Sequence, residues 1–352
     1  MATMSLSGTD LSRDYFTEVV RPLVDERWPG LPLAAGRFGS GSDVLGLDDA
    51  LSRDHDWGLR LTILVEQDVV EPIRVWLAQQ LPPEYRGHPT RFATTWHPVP
   101  TVQVEVSTAD EFVSSRTGVG PEPLGITDWL SLTGQSVLEV TAGGVFADDA
   151  GAFAAIRNRF DWYPDDVWRY VLAAEWARIG QEFPFVGRAA SRGDEVGSGL
   201  IAGRIAVAAM RLGFLLERRW PPYSKWLGTM FADLPIAADV APALTAALGA
   251  NRWENREAGL ATAVTALNEG QRHVGLPSVA AAIEPFWDRP FLGIGAVPET
   301  LLESITDERV RELPAGIGSI EQVSDSVSVL VSPERRRTVM AALLAGGGST
   351  GR

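Results

Sequence analysis

"FGSGSDVLGLDDALSRDHDWGLRLTILV" spans Phe38 to Val65. A Gly-Ser pair opens the stretch, Asp43, Asp48 and Asp49 follow, and Asp54-His55-Asp56 leads into an apolar run. Carboxylates crowded at the mouth of a buried strand repel one another and lose hydration, so something else must stabilise them. If 57–65 is a strand, Asp54 and Asp56 lie two apart at its start. Side chains at i and i+2 share a face, which points both carboxylates at one spot. A hard divalent cation accounts for such a pair, because magnesium takes one or two carboxylates plus substrate phosphates.

The surrounding sequence supplies the rest of an α/β pattern. Residues 10–28 have helical periodicity, with Asp10 as N-cap and Pro22 as an expected kink. LPLAAGRFG reads as a short strand that ends in a glycine-rich turn. Residues 68–81 form a helix, TVQVEVST (101–108) alternates as a strand does, and ADEFVSSRTG begins another helix. Glu105 sits between Val104 and Val106, where a charge is costly unless it is used. If its strand neighbours 57–65, Glu105 reaches the same metal cluster, and three carboxylates around two metals suit in-line phosphoryl or nucleotidyl transfer. The competing reading leaves Glu105 facing solvent on an edge strand, because Gln103 shares its face. At the other pole, Gly39 lets backbone N–H groups approach a phosphate, Ser40 can donate its hydroxyl, and a following helix would add its N-terminal partial charge.

Beyond residue 160 the chain is rich in Ala, Leu, Arg and Trp and reads as mostly helical. The fold class is therefore α+β: a small mixed-sheet domain over 1–120, then a helical domain over 121–345. Turn formers cluster at 118–155. The 352 residues suffice for two domains and a sizeable core. A net charge of -14 argues against a nonspecific nucleic-acid binder. With no cysteine, thiolate metal sites and thiol nucleophiles are excluded. The N-terminus lacks a basic and apolar leader, and no uninterrupted apolar run reaches membrane-spanning length. A soluble cytoplasmic protein that does not engage membranes is the expectation.

Gly39-Ser40, the thirteen-residue spacer Gly41–Arg53, and Asp54-x-Asp56 before a strand together resemble the signature of the DNA polymerase beta type nucleotidyltransferase superfamily. More narrowly, GSGSDVLGLDDALSRDHDWG resembles a bacterial nucleotidyltransferase-like family catalogued as a domain of unknown function. That resemblance continues through DDVWRYVLAAEWARIGQEFPFVGRA (165–189), LLERRWPPYSKWLGTMF (215–231) and IEQVSDS (320–326). It implies that Gly39 and Ser40 bind the phosphates of ATP or another nucleoside triphosphate. Asp54 and Asp56 would hold magnesium, with Glu105 completing the set. The helical part would close over the nucleotide and carry a pocket for a small-molecule acceptor, as in aminoglycoside nucleotidyltransferases. The alternative is a nucleotide-binding regulatory protein of the same fold without turnover.

Other residues carry two readings each. Lys225, flanked by aromatic and proline residues, either holds a triphosphate as a point charge or is a surface lysine at a helix start. Arg188 and the seven-spaced Arg204, Arg211 and Arg218 could bind phosphate or an anionic acceptor, though intramolecular salt bridges explain most of that line. Asp43, Asp48 and Asp49 read as turn residues. His55 alternates away from the aspartates and packs or caps.

Overall fold

The computed structural model describes residues 6–53, 57–95 and 98–345. It is α+β and divides into two compact units. The first comprises 1–123 with 136–161, the second 124–135 with 162–352.

The first unit is built on a four-stranded mixed sheet of order β3-β2-β1-β4. Its strands are β1 (Ala34–Gly36), β2 (Leu61–Leu64), β3 (Val104–Ser107) and β4 (Val145–Asp148). β2 runs antiparallel to β1 and parallel to β3, while β4 is antiparallel to β1 on the far edge. Ala35, Leu61, Ile63, Val104 and Val106 supply one face. They pack against Leu11, Tyr15, Val20, Ile73 and Leu77 from the helices that cover it.

The helix expected over 10–28 forms as α1 (Gly8–Tyr15) and α2 (Arg21–Arg27), joined by one π-helical stretch, Phe16–Val20. The wider turn falls just before Pro22, which can make no i to i−4 bond, so the loss of that bond is absorbed without a break. α3 (Gln67–Gln80) and α4 (Ala109–Thr117) lie where periodicity puts them. The strand expected over 57–65 is shorter. Pairing begins at Leu61, because Gly58 has φ +156° and Trp57 turns aside to donate its indole N–H to Asp48. The 101–108 strand is also divided. Thr101–Val102 pairs with Arg91–Phe92, and only Val104–Ser107 joins the main sheet. β4 lies inside the turn-rich 118–155 stretch, where glycines and aspartates mask its four residues.

The opposite sheet face is covered by Phe38, Phe112 and Phe153, with ring centroids 4.6–6.1 Å apart. Gly36 sits directly under Phe38. A Cβ there would stand 2.3 Å from the Phe38 ring and 2.3 Å from the Gly144 carbonyl.

In the second unit, Glu195–Leu216 is the central helix, packed against Asp165–Glu182, Phe185–Ala190, Ala237–Leu248 and Trp253–His273. The sequence reading found no apolar run of membrane-spanning length. By length and composition this helix is long and apolar enough to cross a membrane, and 56% of its most apolar window is buried within the fold. Tryptophans pin the packing: Trp168 Nε1 donates to the Leu215 carbonyl at 2.8 Å, and Trp176 Nε1 to Gln271 Oε1 at 2.7 Å.

Replacing Gly36 by Ala is expected to lower stability by about 1–3 kcal/mol, the usual cost of overpacking, in equilibrium denaturant unfolding. An unchanged midpoint would contradict the packing of Phe38 onto β1.

Candidate functional site

The register Gly36↔Thr62↔Glu105 defines one end of the sheet. Because β1 is antiparallel to β2 and β2 parallel to β3, the chain leaves β1 at the end where it enters β2 and β3. Gly39-Ser40, the entry to β2 and Glu105 therefore share that end.

The turn after β1 is built around a buried ion pair. Arg37 is 2% exposed. Its Nε and Nη2 donate to both Asp43 carboxylate oxygens at 2.7 and 2.9 Å. Nη1 donates to the Phe38 carbonyl at 2.5 Å and Nη2 to the Ser40 carbonyl at 2.7 Å. Arg60 Nη1 donates to the same Ser40 carbonyl at 3.1 Å. Gly39 has φ +82°, and a Cβ on Gly41 (φ +146°) would fall 2.3 Å from both Arg37 Nη2 and Asp43 Oδ1. Gly41 is thus required by the clamp, and Gly39 by its left-handed backbone. Ser40 is left exposed at its apex.

Two elements of the expected phosphate cradle differ. No helix follows Gly39-Ser40; residues 40–53 form turns and bends, so no helix dipole is added there. The Gly39 N–H donates to the Glu139 carbonyl of α5 (Gly134–Thr141) at 2.8 Å, so that amide is engaged within the fold.

Asp54, His55 and Asp56 lie outside the described residues. The residues on either side are well anchored. Arg53 stacks its guanidinium 4.5 Å from the Trp57 ring, and Asp48 accepts from Trp57 Nε1 at 3.0 Å and from the Gly8 amide at 2.7 Å. Asp49 caps the Leu51 and Ser52 amides. Asp43, Asp48 and Asp49 thus do the work of turn residues.

Glu105 lies on edge strand β3, with its side chain 40% exposed, and its Oε2 accepts from Arg116 Nη2 at 2.7 Å. Arg116 arrives from the last turn of α4, which doubles back along β3. Its guanidinium packs 4.2 Å from the Phe112 ring centroid, and Nη2 lies 3.6 Å from where a Gly39 Cβ would be. Arg116 thus stands beside both the carboxylate and the glycine turn. Glu105 supplies the oxygen donor a hard cation takes, but that donor is already shared with a cation. Among the described residues no group of three His, Cys, Asp or Glu side chains gathers as a metal site.

Lys225 and Arg188 belong to the second unit. Lys225, the chain's only lysine, is exposed in the first turn of Ser224–Phe231, with Nζ 4.7 Å from the Trp226 ring. Arg188 is exposed on Phe185–Ala190 and lies over Phe185 and Phe286 at 5.3 and 5.9 Å. Arg204, Arg211 and Arg218 pair with Glu182, Glu321 and Asp165.

Sequence reasoning missed Arg37 and Arg116. Arg37 had a signal, since it directly precedes Phe-Gly-Ser with an aspartate six residues on. Arg116 had none, because its partner is set by the return of a helix along a strand.

A family model described as Domain of unknown function (DUF4037) matches residues 129–227. No curated protein matches the chain. Among solved structures, the chain is similar to a nucleotidyltransferase-like protein from Exiguobacterium sibiricum 255-15. The identity is 13% and the TM-score 0.33, over 76% of this chain and 78% of that one.

Removing Asp43 strands a buried guanidinium. Asp43→Ala is expected to cost about 3–5 kcal/mol, and Arg37→Met with Asp43→Leu to recover most of it, in denaturant titrations. A single variant as stable as the wild type would show that the clamp does not hold the turn.

Proposed function

We propose that the chain is a magnesium-dependent nucleotidyltransferase that moves a nucleoside monophosphate from ATP or another nucleoside triphosphate to a small-molecule acceptor. The observation that carries this reading is the register Gly36↔Thr62↔Glu105. It gathers the Gly39-Ser40 turn, the strand entered after Asp54-His55-Asp56, and Glu105 at one sheet end. In the reaction proposed, Ser40 donates its hydroxyl to a phosphate oxygen from a turn that the Arg37 clamp holds rigid. Asp54, Asp56 and Glu105 would hold magnesium, which when bound neutralises phosphate charge and aligns the triphosphate. Glu105 would exchange Arg116 for the metal. Lys225 and Arg188 are proposed as further phosphate contacts.

A second reading, nucleotide binding without turnover, draws on one observation: Glu105, a proposed metal ligand, is already paired with Arg116.

Isothermal calorimetry with ATP, GTP, CTP and UTP, each with magnesium, is expected to show binding of at least one. No heat from any of the four at millimolar concentration sinks both readings. Pyrophosphate release with small acceptors separates turnover from binding alone.

With ligand at a hundred times its dissociation constant, the wild type is expected to gain about 2.7 kcal/mol of stability. Asp56→Asn should fold, lose most of that gain, and lose turnover. Should the acids serve as structural caps, Asp56→Asn costs roughly 0.5–2 kcal/mol without metal, and magnesium plus nucleotide shifts neither protein in thermal melts.

A further inference from the structure

The second unit carries an open cavity that the transferase reading does not use. It measures about 330 Å³, at the lower end of the roughly 300–1,000 Å³ of ligand pockets. One side is formed by Gly180, near the end of helix Asp165–Glu182, and by Pro184 just beyond it. The other is the hairpin of Ile283–Pro285 and Leu292–Ile294 with its turn, which contributes Glu284, Phe286, Trp287 and Gly293.

Two residues of this hairpin are not used by the fold. Trp287 is 84% exposed, and its φ of +56° is a left-handed backbone that a bulky side chain disfavours. Glycine would turn the chain here without that strain. Glu284 is exposed and, among the described residues, has no hydrogen-bond or ion-pair partner, whereas Asp288 at the tip pairs with Arg289 at 3.4 Å. Opposite Glu284 on the neighbouring strand stands Gly293, so no side chain covers the carboxylate from there. Phe286 is half-buried, with its ring beside Gly293: a Cβ on that glycine would lie 3.4 Å from Phe286 Cδ2. The Phe286 N–H donates to the Phe291 carbonyl at 2.8 Å and so continues the ladder. Glu284 and Phe286, two residues apart, therefore leave the backbone on one face about 6.6 Å from each other.

We propose that this cavity binds an alkylammonium, whose N–H groups donate to the Glu284 carboxylate while its charge and carbon chain lie against the Phe286 and Trp287 rings. A carboxylate supplies the charge-assisted hydrogen bond, and aromatic faces attract a cation placed within about 6 Å of the centroid. Phe286 already draws one cation, since the Arg188 guanidinium stands 5.9 Å from its centroid. The alternatives fit less of the cavity. An anion is repelled by Glu284, and a neutral alcohol makes neither charge contact. A metal ion finds one carboxylate where it takes several oxygens. The net charge of -14 also draws cations toward the chain before any contact forms. The proposal rests on the second unit alone and stands or falls independently of the transferase reading.

Ligand-observed NMR titrations of the full chain with butylammonium, 1-butanol and butyrate, three probes of similar size, test it. Butylammonium is expected to bind about tenfold more tightly than the other two. That affinity should fall about tenfold in Glu284→Gln and about threefold in Trp287→Gly, where glycine suits the positive φ. Asp288→Asn removes an exposed acid outside the cavity and should leave binding unchanged. A crystal of the full chain soaked in butylammonium should place the nitrogen on Glu284. The assignment is overturned if butylammonium does not bind, or if 1-butanol or butyrate binds as tightly. Unchanged affinity in either Glu284→Gln or Trp287→Gly overturns it too, as does a nitrogen found elsewhere. An equal loss in Asp288→Asn would reduce the effect to diffuse attraction by an acidic chain and overturn the site. Should a variant not fold, the three-probe comparison and the soaked crystal still decide.

Discussion

The Arg37–Asp43 pair is the constraint on which the end of the sheet depends. A guanidinium cannot shed its proton, so once buried it must be fully partnered. Arg37 meets that demand with both Asp43 oxygens and the carbonyls of Phe38 and Ser40. The consequence is conformational. The backbone from Phe38 to Asp43 folds around a side chain, and glycine stands where Arg37 leaves no room for a Cβ. Phe38 is thereby directed onto the sheet, while Ser40 is held outward. A flexible loop becomes a fixed one without using a helix.

Charge balance at this sheet end is local. Arg37 answers Asp43, Arg53 and Trp57 converge on Asp48, and Arg116 answers Glu105. The pairs differ in depth. Arg37 and Asp43 are buried and costly to separate, whereas Glu105 and Arg116 are partly exposed, and such pairs contribute ~0–1 kcal/mol. One pair is suited to architecture, the other to exchange of partners. In the helical unit the arrangement is reversed. Exposed Arg204 and Arg218 are paired, and the unmatched polar atoms of Glu175 and Arg211 lie inside.

Periodicity made the long elements legible. Gln67–Gln80 lies where apolar spacing puts a helix over 68–81, and Asp165–Glu182, Glu195–Leu216 and Trp253–His273 fall in the stretch that reads as mostly helical. The roles of Asp43, Asp48 and Asp49 were legible too, because short acidic side chains between glycines hydrogen-bond the turn. Strand extents were not. Trp57 and Gly58 belong to an alternating apolar run, yet the bond from Trp57 to Asp48 and the positive φ of Gly58 exclude both from the ladder. Gln103 likewise interrupts a regular alternation by donating to the Phe92 carbonyl. Glu105 was legible as a misplaced charge on a strand. Its partner Arg116 was not, since an ion pair between a strand and the helix that follows it is written in the topology.

The first unit is discontinuous in the chain. β1, formed by residues 34–36, takes its second partner from residues 145–148, so the sheet closes only after more than a hundred further residues. On a ribosome this strand waits for its neighbour while the segment 124–135, which belongs to the other unit, is already made. Until β4 arrives, β1 presents unpaired N–H and C=O groups along one side, the condition that invites pairing with foreign strands. No single cut separates the units: a fragment ending at residue 123 keeps the Gly39-Ser40 turn and Glu105 but loses β4 and the Glu139 carbonyl that Gly39 bonds. The Gly39-Ser40 turn is therefore tied to a late-made part of the polypeptide, which makes its final shape a signal that synthesis has passed well beyond it.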